Sequence, residues 1–393
     1  MVTLVDMLEA YYDCRKRKRR TASAVVYEMD YEARLIALRD RINTRSYLPG
    51  RSICFVVTRP RYREVFAASF EDRIVHHYMA LRLEPLFEKI FSPRTFNCRK
   101  GKGQLYGIKM LEADLREESQ NYTRDCWVMK LDLKGFFMSI DRKMLASLVD
   151  AFIVQHYDGP DREDLRYVCR VVVLHEPEKN CERHSPARFW DFLPAHKSFF
   201  TNTPGKGVAI GNLFAQLFAN FLLNALDWYL EEIGIKRHGR YVDDFYAIHT
   251  DKAVLLAAVP KIRTLLAGYG LALNEKKFYL QHYAKGVEFT GMIIKPGRTY
   301  ICNRVLTNFI VAVRRLNAAT DLRQVRHAIC SINSYLGLLR QSNEYGNRVK
   351  VLAMISPQAW QYIYIKGHYE VVCLRSQYKQ KTITLKRIRD GDY

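Results

Sequence analysis

The 393-residue chain is short of covalent restraint and short of acid. Its nine cysteines (Cys14, Cys54, Cys98, Cys126, Cys169, Cys181, Cys302, Cys330 and Cys373) are scattered, odd in number and contain no CxxC pair. That pattern indicates neither a zinc module nor a disulfide framework, and reduced thiols in a cytosol are the expectation. Only 41 Asp and Glu stand against 62 Lys and Arg, a net charge of +21 with histidine neutral. Such an excess of cations points to a polyanionic partner, most often nucleic acid and sometimes a membrane surface. No apolar leader is expected at the start, because Asp6 and Glu9 interrupt the first apolar stretch. The longest uncharged run, Val208 to Leu226, is long enough to raise the question of a membrane span. Asn212, Gln216, Asn220 and Asn224 recur through it every fourth residue, which fits a buried helix with one polar working face better than a lipid-facing one. There is no internal repeat and no low-complexity linker. The 48% of apolar residues excludes wholesale disorder and fibrous repeats.

Arg15, Lys16, Arg17, Lys18, Arg19 and Arg20 form an unbroken run of six cations. Like charges so close repel one another and favour an anion nearby. Helices are expected over Tyr31–Arg45, over Arg73–Phe87 with an interruption at Pro85, over 146–157 and 161–173, over Ile210–Ile233 and over 251–269. Strands are expected over Ile53–Val57, Trp127–Leu133, Phe278–Tyr283 and Val287–Ile294. His175–Thr203 has no period and four prolines up to Pro204; a connection of that length tends to be functional or mobile. Helices resume over 303–316, 322–340 and 346–355, and the tail from Trp360 mixes tyrosines with cations that include Lys379, Lys381, Lys386 and Arg387. Aromatics interleaved with cations suit a surface that follows a phosphate backbone, although a packed helical end with a charged rim reads almost the same.

Chemistry is concentrated in two segments. Asp132 ends an apolar strand, and Asp243–Asp244 has apolar arms on both sides, as a β-hairpin with the acids at its turn would. Phosphoryl transfer onto a growing chain can use two divalent ions about 3.5–4 Å apart, and Mg²⁺ wants hard oxygen ligands on rigid neighbouring elements. Either acidic segment alone reads as an ordinary structural turn or cap; together in so basic a chain they read as a candidate catalytic set.

Lys130-Leu-Asp-Leu-Lys-Gly-Phe-Phe-Met-Ser-Ile140 followed by Arg240-Tyr-Val-Asp-Asp-Phe245 resembles the catalytic pair of motifs of reverse transcriptases. The resemblance runs from Arg51 to about Lys295. Pro204-Gly-Lys-Gly-Val-Ala-Ile-Gly-Asn-Leu-Phe-Ala-Gln-Leu-Phe-Ala-Asn220 resembles the block between them. With no Gly after Gln216, this block is similar to the enzymes of diversity-generating retroelements, a bacterial and phage group within the group II-intron-like superfamily. Ser52-Ile-Cys-Phe-Val-Val57, Arg63-Glu-Val-Phe66 and Asp72-Arg-Ile-Val-His-His77 are similar to that group too. Phe214-Ala215 departs from it, since the group mostly has Thr-Ser there; the pair is expected to line the pocket around Gln216.

The resemblance implies an α+β right-hand polymerase fold: a basic helical extension over 1–50, fingers over 51–125, an antiparallel palm over 126–299 with a fingers-like insertion at about 150–205, and a helical thumb and basic tail over 300–393. It implies Asp132, Asp243 and Asp244 as metal carboxylates, with the Leu133 backbone carbonyl as a further metal ligand and two Mg²⁺ ions for which Mn²⁺ can substitute. It places Phe137 under the sugar of the incoming nucleotide, where core packing is the alternative. Arg63, Arg73 and Lys277 are placed at its phosphates, and Gln216 beside the templating pair. Lys277 is chosen over Lys276 by register. Val287-Glu-Phe-Thr-Gly-Met-Ile293 resembles the hairpin that grips a primer end.

Implied partners are a template RNA and its RNA/cDNA duplex, dNTPs and a small basic oligomeric accessory protein, in the cytoplasm of a bacterial host or encoded by a phage, with no membrane. The implied activity is RNA-directed synthesis of cDNA with errors at template adenines, which diversifies a target gene. A reverse transcriptase of a phage-defence system and an RNA-binding scaffold on a dead polymerase fold stay open as alternatives.

Overall fold

The structure, a computed structural model, describes residues 1–16, 18, 21–58 and 61–378. Arg17, Arg19, Arg20, Lys379, Lys381, Lys386 and Arg387 lie outside the described residues. The chain divides into two compact units, Met1–Gln281 and His282–Tyr393. As expected from the sequence, helix and antiparallel sheet are mixed throughout. Among the described residues no helix is long and apolar enough to cross a membrane.

The first unit opens with α1 (Leu4–Arg15), α2 (Ala22–Glu28) and α3 (Tyr31–Asn43). A reciprocal box starts α1: the Thr3 hydroxyl accepts from the Asp6 amide at 3.2 Å, and the Thr3 amide donates to the Asp6 carboxylate at 2.7 Å. These helices share one core with α4 (Phe70–Ile90), in which Met7, Tyr11, Leu35 and Leu38 pack with Ile74 and Tyr78. α4 runs unbroken through Pro85, contrary to the expected interruption. Leu83 and Phe87, both fully buried, hold the backbone on either side against the roughly 3 kcal/mol penalty of an interior proline.

β1 (Ser52–Val57) and β2 (Arg63–Ala67) form an antiparallel hairpin with Cys54 opposite Phe66. Next come α5 (Gln104–Glu118), β3 (Trp127–Asp132), a one-turn α6 (Phe136–Ser139), α7 (Arg142–His156) and α8 (Arg162–Leu174). The aperiodic stretch after α8 supplies β4 (Cys181–Arg183), parallel to β1, and a short α9 (Arg188–Asp191). It is pinned by a buried acid: Glu64 accepts from Trp190 Nε1 at 2.8 Å, Ser198 Oγ at 3.0 Å and the Phe199 amide at 2.7 Å. α10 (Leu213–Glu232), β5 (Arg237–Tyr241), β6 (Asp244–His249), α11 (Lys252–Gly268) and β7 (Tyr279–His282) complete the unit, and a four-stranded sheet runs in the order β5-β6-β3-β7.

The polar stripe of α10 is a seam. Asn212 Oδ1 accepts from the Ala68 amide (3.2 Å), Asn220 Nδ2 donates to the Asn97 carbonyl (2.9 Å), and Asn224 Oδ1 accepts from the Ser92 amide (3.0 Å) while its Nδ2 donates to the Ile90 carbonyl (3.1 Å). The stripe therefore satisfies backbone at both ends of α4, the Ala68 amide before it and the Ile90, Ser92 and Asn97 groups at and after its end, whose polar groups would otherwise be buried without partners.

In the second unit, β8 (Val287–Phe289), β9 (Met292–Lys295) and β10 (Arg298–Ile301) form a meander. The segment Val287–Ile294, expected as strand from its pattern and as a hairpin from the resemblance, is the hairpin β8–β9, because Thr290 and Gly291, at φ 48° and 91°, make the tight reversal of a two-residue loop. α12 (Asn303–Asn317), α13 (Leu322–Leu339), α14 (Tyr345–Leu352) and α15 (Pro357–Trp360) pack around Phe309, Ile332, Leu336 and Leu352. The described part of the tyrosine-rich tail is a hairpin, β11 (Ile363–Lys366) with β12 (Val371–Leu374). Its β-branched residues alternate, so Ile363 and Val372 are buried while Tyr364 is exposed, which replaces the helical-end reading.

Candidate active site

β3 and β6 are antiparallel, and their register sets Asp132 directly opposite Asp244. β5 pairs with β6 so that Tyr241 faces Asp244, which leaves Val242 and Asp243 as a two-residue turn. The three acids predicted from sequence thus come to one end of one sheet. Val242 has φ 61°, costly for a β-branched residue, and a first central residue with positive φ is what a tight hairpin of this hand demands.

The strain is held from behind. Asn97 Oδ1 accepts from the Val242 amide at 2.9 Å, and Arg240 Nη1 donates to the Val242 carbonyl at 3.0 Å. Arg240 is 1% exposed and forks onto Asp227, itself 1% exposed, at 2.8 Å through Nε and 2.6 Å through Nη2. Its Nη2 also reaches Thr95 Oγ1 at 3.1 Å. Asp227, Asn97 and Thr95 were not singled out from sequence. For Asp227 a signal existed: it ends the uncharged run three residues past Asn224 and so continues the same helical stripe. Asn97 and Thr95 carry no local signal.

At the front, the carboxylates face lysines. Lys277 Nζ lies 2.7 Å from Asp132 Oδ2, and Asn274 Nδ2 donates to the same oxygen at 3.1 Å. Lys130 Nζ is 3.8 Å from Asp244 Oδ1. Among the described residues no three His, Cys, Asp or Glu side chains converge as a ready-made cation shell, and Asp132 and Asp244 instead lie beside these lysines. Burial, and then the charges of Asp132 and Asp244, push the Asp243 carboxyl up to about 6, with Lys277 pulling the other way. Leu133 follows Asp132 with its side chain buried, bridged to Leu273.

Phe137 lies on α6, partly buried against the core and 5.1 Å from the fully buried Phe136. The glycine-rich loop before α10 docks here: the Val208 amide donates to the Phe137 carbonyl and the Gly207 amide to that of Ile140, each at 2.8 Å. At Gly207, φ is 100° and an added Cβ would come within 2.9 Å of Asn202 Nδ2. Gln216 sits on the next turn of α10, its Oε1 3.8 Å from Cys98 Sγ. Phe214 and Ala215 are buried, Phe214 with its ring 4.9 Å from that of His76; they belong to the core between α10 and α4, not to a pocket wall around Gln216.

Arg63 is exposed at the start of β2, and Arg73 is half-buried on α4. Of the basic run, Arg15 pairs with Glu28 and Lys16 lies 2.7 Å from Asp13, so both are partly neutralised within the fold.

Residues 58–294, more than half of the chain, match the family described as Reverse transcriptase (RNA-dependent DNA polymerase). Over 199 residues the chain is 23% identical to Protein YkfC of Escherichia coli (strain K12), a stretch that is 50% of this chain and only 45% of that protein's length. Among solved structures it is similar to apo telomerase from Candida tropicalis, with a TM-score of 0.49 and 13% identity over 80% of this chain and 57% of that one. It is also similar to telomerase from Candida albicans in complex with a TWJ fragment of telomeric RNA, with a TM-score of 0.46 and 10% identity over 84% and 60%.

Proposed function

The chain belongs to the reverse transcriptase family, and on that basis we propose that it is an RNA-directed DNA polymerase that adds dNMP units to a primer 3′-hydroxyl under the direction of an RNA template. The observation that carries this reading is the pairing of Asp132 with Asp244 across β3 and β6, with Asp243 in the adjoining turn. Three carboxylates at one strand end, one of them destabilised as an anion by burial and then by the charge of the others, suit hard divalent cations in their donor chemistry. Asp132, Asp243 and Asp244, with the Leu133 carbonyl, would hold Mg²⁺, or Mn²⁺ in its place. When bound, such ions lower the pKa of the attacking hydroxyl and neutralise charge on the leaving phosphates.

The chain's own residues then divide the remaining work. Lys277 and Lys130 act as counter-ions to the acids before the substrate arrives; Lys277 then passes from Asp132 to the triphosphate. Arg63 and Arg73 join it there, since the arginine fork binds phosphate bidentately. The Phe137 ring lies under the sugar and collides with a 2′-hydroxyl, favouring dNTPs. Gln216 lines the groove edge beside the templating pair. The Arg240–Asp227 pair positions the acidic turn without touching substrate. Sequence-independent affinity comes from phosphate contacts and falls steeply with salt.

The finer proposal is that the enzyme belongs to the diversity-generating retroelements and copies a template-repeat RNA with errors at adenines, in mutagenic retrohoming, assisted by a small basic oligomeric protein. Its support is the Gly211-Asn-Leu…Gln216 block without a following glycine. The test is synthesis by the purified chain with its native flanking RNA, Mg²⁺, dNTPs and any small basic neighbour, followed by sequencing of the cDNA. Errors concentrated at template adenines support the subclass. Accurate or untemplated product rejects it in favour of a defence-type enzyme, and no product on any primed template rejects the polymerase reading.

A further inference from the structure

Asn212, Asn220 and Asn224 on the polar stripe of α10 bond to neighbouring backbone, but Gln216 meets a side chain: its Oε1 lies 3.8 Å from the Cys98 thiol. Cys98 is exposed and stands at φ 50°, in the left-handed region that glycine or asparagine would occupy at less cost. A residue held there against its own preference is fixed by its surroundings, and such residues gather at functional sites. The surroundings of Cys98 are specific. Asn97, immediately before it, is 1% exposed and bonds in two directions. Its Oδ1 accepts from the Val242 amide, and its carbonyl accepts from Asn220 Nδ2, each at 2.9 Å. One step earlier, the Phe96 amide donates to the Arg240 carbonyl, also at 2.9 Å. The segment Phe96–Cys98 thus touches the acidic hairpin on one side and the polar face of α10 on the other. Val242 and Cys98, both at positive φ, are joined through Asn97. Desolvation of the sulfur pushes the Cys98 thiol up, with the Asn97 amide working against it, so the sulfur keeps its hydrogen at neutral pH and can donate it.

We propose that Cys98 is a positioning residue for template reading: its S–H holds Gln216 Oε1 and so turns the Nε2 end of that amide towards the templating pair, in a register set by the segment that also holds the acidic turn. A primary amide donates at one end and accepts at the other. Gln216 presents one defined end to a groove edge only while its other end is engaged. Without the thiol the amide turns either end to the pair, and matched and mismatched pairs are told apart less well. Cys98 itself touches neither template nor nucleotide and acts through Gln216. The inference rests on the reading of Gln216 as the residue beside the templating pair.

The test uses the full chain and the variants Cys98→Gly, Cys98→Ala, Gln216→Ala and the Cys98→Gly, Gln216→Ala double variant. Single-nucleotide addition on a primed RNA template with Mg²⁺ gives kcat/KM for the matched and for each mismatched dNTP, and thermal melts report folding. Cys98→Gly should melt near wild type, because glycine takes φ 50° without steric cost; Cys98→Ala keeps the strained backbone and removes only the sulfur. Both should lower the matched-to-mismatched ratio by roughly two- to tenfold, the range of one neutral hydrogen bond. A mere loss of folded enzyme scales both rates and leaves the ratio unmoved. The double variant should match Gln216→Ala alone, since Cys98 acts only through that amide. A ratio unmoved by both Cys98 variants but lowered by Gln216→Ala overturns the positioning role and leaves the Gln216 reading intact. Effects that simply add in the double variant overturn it as well. A Gln216→Ala ratio equal to that of wild type rejects the Gln216 reading itself, and the positioning role with it.

Discussion

Lys277 Nζ lies 2.7 Å from Asp132 Oδ2, a contact spanning 145 positions of sequence. With Lys130 near Asp244, it gives the acidic turn internal counter-ions. Lys277 is also the cation that opposes the upward push on Asp243. Replacing it by Met removes that opposition, so the acidic limb of the pH–rate profile for single-nucleotide addition should move to higher pH, and the dNTP KM should rise. An unmoved limb would mean that Lys277 does not act on the acidic turn.

The raised Asp243 pKa also makes a prediction about stability in the absence of divalent ions. Between the ordinary carboxyl value of 3.8 and about 6, the folded chain keeps a proton that the unfolded chain has released. The contribution of this group to stability therefore falls as pH rises through that window, and stays low above it. Asp243→Asn removes the charge, so in EDTA its melting temperature should exceed the wild-type value at pH 7 by a few degrees, with the difference vanishing towards pH 4. Thermal melts of the two proteins across pH check this directly.

Arg240 and Asp227, each 1% exposed, form the buried pair that carries the acidic hairpin. Removing one partner strands a charge without water or counter-ion. Arg240→Met should cost about 3–5 kcal/mol in urea unfolding. An Arg240→Met, Asp227→Leu double variant should recover much of that stability, but not activity, since the Val242 carbonyl still lacks its donor.

Phe137 supplies a specificity prediction. Phe137→Val opens the space assigned to the 2′-hydroxyl, and should raise the ratio of rNTP to dNTP kcat/KM by roughly 10–100-fold. Competition assays on a primed template read the ratio. No change would return Phe137 to plain packing against Phe136, which it touches.

Much of this site was legible before the fold, for identifiable reasons. Apolar arms around Asp132 and around Asp243–Asp244 alternate or run unbroken, so strand and hairpin follow from local pattern. The match of Asp132 to Asp244 does not follow, because register is a property of two strands and neither segment encodes its partner. Val242 gave no hint of a positive φ; the conformation is imposed by Asn97 and Arg240, distant or buried groups that local sequence does not report. The stripe on α10 was visible by spacing, but only the fold reveals that Asn212, Asn220 and Asn224 bond to backbone. Pro85 misled because tertiary burial of Leu83 and Phe87 overrides a local breaker.

The central claim is that Asp132, Asp243 and Asp244 form the catalytic centre of an RNA-directed polymerase. The most direct test is extension of a DNA primer on an RNA template with Mg²⁺ and dNTPs, comparing wild type with Asp243→Asn at matched folded concentration. The account predicts template-length cDNA from wild type and none from a variant that melts no lower than wild type. Equal cDNA yield from the two proteins would contradict it.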